Sequence, residues 1–315
     1  MMKLLGLTAT VVGLTALGAA PQGTAPVNAA FRNVHLHVAD GVVLEVHHIE
    51  GALISKQAGR PPVFDDQNSF TLRIDSGEIA MTPASLSRLL NDHVFAYEGS
   101  PLKGIEVSIE EGHLKQKGTL RKGVPIPFTI VADLSATPDG QIRVHPIDVK
   151  AAGIPSEGLM KMFGVELDDL IKSNKAHGVK IADNDLLLDP SRLLPSPGLS
   201  GKLTAVSLEG DRIVERFGRG TRGKLSADAD RRARNYMYYR GGTLRFGKLT
   251  MSDTDMQLID ADPSDAFDFS PPEYVKQLVA GYSKNTPSGG LRVFMPDFDQ
   301  VAGANLRPTT ARVLH

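Results

Sequence analysis

The sequence predicts an α+β fold, an antiparallel meander with amphipathic helices laid on one face, and three observations predict it. Apolar and polar residues alternate through several runs of strand length. At two places the period lengthens to helical spacing. Turn signals rich in Gly, Asp and Pro separate the runs. Strand pair, helix, meander, helix and further strands is the order of a sheet with helices on one side.

The first strand covers residues 33–38, with Val34, Leu36 and Val38 on one face and His35 and His37 on the other. Asp40-Gly41 is a turn signal, and 42–49 returns as its partner. A loop at 59–66 leads to a strand over 70–81. Thr82-Pro83 then starts a helix, with Thr as N-cap and Pro in the first helical position. Leu86, Leu89, Leu90 and Val94 carry it to about residue 96. The meander follows from 105 to 149, turning at Glu111-Gly112 and at Pro138-Asp139-Gly140. In its third strand Phe128 and Ile130 belong to an apolar face, while Pro125 and Pro127 lie on the other, so the strand begins at an edge or bulge.

A second helix is predicted over 156–173. Leu159, Met162, Phe163, Leu167, Leu170 and Ile171 form its apolar stripe. Short strands at 179–181 and 186–188 and a helical turn after Asp189-Pro190 come next. A hairpin turns at Glu209-Gly210-Asp211. Residues 218–235 read as a linker. Residues 236–315 read as a β-rich C-terminal section, with strands at 243–251 and 255–259 and a hairpin of 274–283 with 291–295.

The N-terminus predicts export. Lys3 precedes the uncharged apolar run 4–17, and Gly18-Ala19-Ala20 supplies the small residues of a cleavage site. Residues 1–20 are therefore read as a signal peptide, 21–30 as a flexible mature N-terminus, and the destination as periplasm or cell envelope. The chain has no cysteine, which excludes disulfides, thiolate metal sites and a cysteine nucleophile. With 35 basic and 36 acidic residues the net charge is -1, and nothing in that balance points to nucleic acid.

From about 70 to 218 the order and spacing resemble the LmeA-like phospholipid-binding proteins of the bacterial envelope, a branch of the tubular lipid-binding (TULIP) superfamily. The residues that carry the resemblance are the Thr82-Pro83 helix, the meander and the segment PDGQIRVHPIDVKAAGIPSEGL at 138–159. The second helix, the Leu186–Leu188 strand, the Pro195-Ser196-Pro197-Gly198 loop and the hairpin of 203–214 complete it. The resemblance implies a strongly curved, TULIP-like sheet wrapped around amphipathic helices over 31–217, with the β-rich C-terminal section as an extension. It also implies an apolar groove for phospholipid or another apolar ligand, and no catalytic residues. Burial of an acyl chain contributes up to ~0.8 kcal/mol per methylene, so a groove one chain wide suffices. Leu159, Met162, Phe163, Leu167 and Leu170, with Leu86, Leu90, Phe128 and Ile130, are the expected lining.

Other readings carry less. His35 and His37 face His47 and His48 without a third ligand at metal spacing, so strand histidines are expected rather than a metal site. Asp253, Asp255, Asp260, Asp262, Asp265 and Asp268 form an acidic run that lacks the glycine and spacing of a calcium loop. A solvated loop is expected there. Between Arg212 and Lys248 eleven basic residues stand against three acidic ones, which suits a solvated linker or transient contact with a membrane surface. Tyr236, Tyr238 and Tyr239 fit either a hairpin core or a membrane interface. No nucleophile elbow, Walker loop, zinc-protease motif or dinucleotide fingerprint is present. The expectation is a non-enzymatic protein without cofactor or metal. The alternatives are a structural or protein-binding envelope component with a filled core and, more remotely, a hydrolase.

Overall fold

The computed structural model describes residues 25–151, 178–182, 185–218, 225, 229–230 and 232–303. The second helix expected at 156–173, the signal peptide expected at 1–20 and the last dozen residues lie outside them.

Two sheets carry the fold. The first grows from a long hairpin, β1 (Val27–Ala39) and β2 (Val42–Ser55), which turns at Asp40-Gly41 with Gly41 at φ 66°. The expected face is found: Val34, Leu36 and Val38 pack inward with Leu44 and Val46. Toward the N-terminus the buried set shifts to Val27, Ala29 and Phe31. The shift falls at Asn33, whose φ of 51° interrupts the extended conformation that strict alternation requires. Asn tolerates that conformation better than most residues.

Residues 21–30 are expected to be flexible, and the structure corrects this for 27–30; residues 21–24 lie outside the described residues. β1 begins at Val27, and Val27, Ala29 and Ala30 are fully buried. The cause is long-range: β13 (Tyr236–Arg240) pairs with this stretch on one side and β2 on the other. β3 (Phe70–Met81) follows β2 in the sheet, and β12 (Arg212–Phe217) and β11 (Leu203–Glu209) extend it as the expected hairpin. On the other side of β13 come β16 (Asp255–Asp260), β19 (Leu291–Met295) and β18 (Tyr282–Asn285). Two short strands pair in parallel off this path, β10 (Gly198–Gly201) with β3 and β17 (Phe267–Phe269) with β1. The C-terminal section thus continues the sheet begun by the first hairpin.

The second sheet contains the meander: β4 (Leu102–Glu110), β5 (His113–Lys122), β6 (Val124–Ala136) and β7 (Ile142–Ala151), then β9 (Asp185–Leu188) and β8 (Val179–Ala182). The strand order is antiparallel throughout, and the sheet architecture is a strongly curled half-barrel. Pro125 and Pro127 pair with β5, while the pairing of β6 with β7 begins only at Phe128. Among the described residues the prolines therefore face no strand on that side, as suits residues without an N–H to donate.

Helices are short among the described residues. α1 (Pro83–Leu89) opens as expected, with Thr82 Oγ1 accepting the Ser85 N–H at 3.0 Å. It continues as a wider turn over Leu90–Val94. Ser87 Oγ accepts the Val107 N–H, and the Asn91 amide exchanges hydrogen bonds with the Ile105 backbone. β4 is an edge strand, so these side chains satisfy backbone groups that no neighbouring strand reaches. α2 (Pro190–Leu193) is the expected turn capped by Asp189.

Two C-terminal expectations are corrected. Residues 243–251 form a hairpin of β14 (Thr243–Phe246) and β15 (Leu249–Ser252) in place of one strand. Gly247 takes the positive φ, 57°, that the tight turn needs. Residues 274–280 form α3 (Tyr274–Ala280), so the final hairpin contains only β18 and β19. Tyr274 and Gln277, three apart, bury one face of that helix. A last turn, α4 (Phe298–Val301), ends the described chain. No described helix is long and apolar enough to cross a membrane.

Candidate functional site: a cavity between the two sheets

One hydrophobic cluster runs through both sheets and includes Leu44, Leu72, Phe128, Val144 and Met256. Within it lies a partly enclosed cavity of about 70 Å³. The large sheet supplies Leu44, Ile79, Met81 and Ile213 to its wall, and the second sheet supplies Leu114, Leu134, Ile142 and Val144. Leu86 and Leu89 of α1 and Leu193 of α2 complete the lining. The two helical turns sit there because Thr82-Pro83 and Asp189-Pro190 start helices directly after strands of the opposing sheets. A water needs roughly 10–15 Å³ of such space, so the cavity has room for about five water-sized positions, or a short length of hydrocarbon chain.

One side chain in the lining does not match the rest. Ile213, Glu215 and Phe217 share one face of β12, and Glu215 lines the cavity. Its neighbours on the opposite face are ion-paired: Arg212 with Glu45 at 2.7 Å, and Arg216 with Glu78 and Glu209 at 2.8 Å each. Glu215 has no hydrogen bond or ion pair with the described residues. Its carboxyl lines a wall that is otherwise apolar, and the residue as a whole is half-buried. Burial away from water pushes its pKa up to about 7. Every other described residue in the lining is apolar.

The ion pairs on the reverse face form a ladder across four strands, β2, β3, β12 and β11. His47 and Arg216 both bind Glu78, and their hydrogen bonds hold its carboxyl below the usual range. Arg216 and Ser207 hold Glu209 down at about 2.

A second polar cluster is built by the acidic run: Asp253, Asp262 and Asp265 are exposed in loop as expected, whereas Asp255, Asp260 and Asp268 lie in strands. Asp255 lies in β16 and pairs with Arg240 and Arg292. Asp268 lies in β17 and bonds His37 at 2.5 Å. Asp260 and Asp297 are buried, and with Asp265 they bring carboxylate oxygens within 4.8 Å of one another, close enough for a cation to bridge. Their inner oxygens are already occupied. Asp260 accepts from the Asn235 amide and the Asp262 N–H, and Asp297 accepts from the Asp268 N–H. The Asn235 amide also bonds the Asp265 carbonyl and accepts from Asn33 at 2.7 Å. Burial, reinforced by the neighbouring carboxylates, pushes Asp297 up to about 7. This is a clasp that closes the 260–268 segment onto β1 and β13.

Of the residues expected to line a groove, Leu86 lines the cavity. Phe128 is buried in the core, and Leu90 and Ile130 pack half-buried against it, outside the described lining. Leu159, Met162, Phe163, Leu167 and Leu170 fall outside the described residues. Tyr236, Tyr238 and Tyr239 are buried in β13, so the hairpin-core reading holds for them and the membrane-interface reading does not. Glu215 was missed. The signal was present in the sequence: a carboxylate between Ile213 and Phe217, at the inward position of an alternating strand. No protein-family model, curated protein or solved structure matches the chain.

Proposed function

We propose that this protein is an exported, non-catalytic component of the bacterial envelope that holds a phospholipid chain or another slender apolar molecule between its two sheets. The cavity carries the proposal. It is walled by aliphatic side chains from both sheets and both neighbouring helical turns, and it opens partly to the outside. Burial of hydrocarbon there is favourable by the ordinary hydrophobic transfer energy, about 25 cal/mol per Å² of apolar surface. The LmeA-like order of elements and the signal-like N-terminus support the same reading. The cavity volume suits one chain end rather than a whole lipid.

A filled-core structural component is the second reading. It is favoured by the continuity of the hydrophobic cluster and the small volume of this cavity. Native mass spectrometry of the purified protein, followed by organic extraction and lipid analysis, separates the two. The carrier reading expects co-purified or added apolar ligand at one per chain, reduced by Leu86→Phe in a protein that still folds. A clean unliganded mass, with no uptake of added phospholipid or fatty alcohol, would establish the filled core.

A further inference from the structure

We infer that the ligand of the cavity carries a hydrogen-bond-donating end, a hydroxyl or an amine, that meets Glu215, and that amphiphiles with an anionic end are turned away. The inference rests on the cavity reading above and, of the two ligands it names, selects a slender single-chain amphiphile with a hydroxyl or amine end over a phospholipid acyl chain, whose end is a methyl.

A plain hydrocarbon site has no use for a carboxyl. An unpaired buried polar group is costly, and an ionised one more so, so natural interiors rarely leave one without a partner. Glu215 is the only polar side chain among the described lining, and it has no partner among the described residues. The charged groups nearest along its own and adjoining strands cannot serve it. Arg212, Arg216, Glu45, Glu78 and Glu209 are occupied with one another. On the cavity side, β5, β6, β7 and the two helical turns present only aliphatic side chains among the described residues. A ligand that brings its own donor recovers the missing hydrogen bond, and the recovery is largest when the acceptor is charged. A purely accepting end, such as an ether, leaves the ionised carboxylate unsatisfied. An anionic end adds like-charge repulsion where water cannot screen it.

The discriminating experiment is calorimetric titration at pH 8 of the purified protein with 1-octanol, octylamine, heptyl methyl ether and octanoate. The ether is an isomer of octanol without the donor. Octanol and octylamine are expected to bind about tenfold more tightly than the other two, the worth of one hydrogen bond to a charged acceptor. Glu215→Leu should erase that preference while still binding the ether. Glu215→Gln, which keeps the side-chain shape but removes the charge, should weaken octylamine more than octanol. Circular dichroism confirms that each variant folds. If the ether and octanoate bind as well as octanol, or the preference persists in Glu215→Leu, the donor inference is wrong and the cavity reading stands. If none of the four binds, both fall together. The two donor arms then tell which source is preferred, neutral alcohol or cationic amine.

Discussion

Glu215 of β12 stands directly opposite Ile79 of β3 in the antiparallel pairing, and both line the same cavity. An acid and an aliphatic residue thus occupy equivalent places in one apolar wall, and the acid holds its proton to about pH 7.

That relationship has a thermodynamic consequence. The unfolded chain releases the proton of a Glu near pH 4.3, and the folded chain near 7. Between those values the folded state binds more protons, so stability falls as pH rises through the window and levels off above it. Glu215→Gln removes the effect. Urea denaturation should show the variant more stable than the native sequence at pH 8, by up to about 4 kcal/mol. At pH 4 the two should be nearly equal. A constant difference across that range would mean that the carboxyl is solvated in the folded protein.

The clasp around Asn235 is expected to matter to the whole first sheet. Asn235 is 2% exposed and ties Asn33, Asp260 and the Asp265 carbonyl together. Asn235→Ala strips one donor from the buried Asp260 carboxylate and releases Asn33 and the Asp265 carbonyl, and should cost roughly 1–3 kcal/mol by denaturant titration. Asn235→Asp, which puts a carboxylate against Asp260, should cost at least as much at pH 8 and less at pH 4.

Gly51 is required by close packing between β2 and β3. A Cβ at that position would run into the Arg73 carbonyl of the neighbouring strand. Gly51→Ala should lower stability by roughly 3 kcal/mol or more, or prevent folding. Gly59→Ala meets nothing within 4 Å and suffers only from its φ of 72°, so about 1 kcal/mol is expected. Thermal unfolding of the pair checks the contrast.

The cavity itself can be filled from the helix side. Leu86 is half-buried at its edge, and Leu86→Phe adds ring atoms where space is open. The variant should keep its melting temperature within a few degrees and take up an apolar ligand several-fold less well. Unchanged uptake, read by native mass spectrometry, would place the ligand elsewhere.

The sequence by itself determined the local elements. Alternation located the inward face of β1 from Val34 to Val38, Thr82-Pro83 and Asp189-Pro190 located two helix starts, and Pro125 with Pro127 marked a stretch of β6 with no second partner among the described residues. Each follows from rules that act within a few residues: pleat, cap and missing N–H. It also placed an acid at an inward strand position, although what that acid faces is not local information. Only the tertiary structure decided the rest. Residues 27–30 are a central strand because β13, some two hundred residues later, pairs with them. Part of the acidic run became strand and clasp because Arg240, Arg292 and Asn235 arrive from elsewhere in the chain. The setting of Glu215 arises where two sheets close over it and remove water, and burial of that kind depends on contacts between segments that no spacing along the chain encodes.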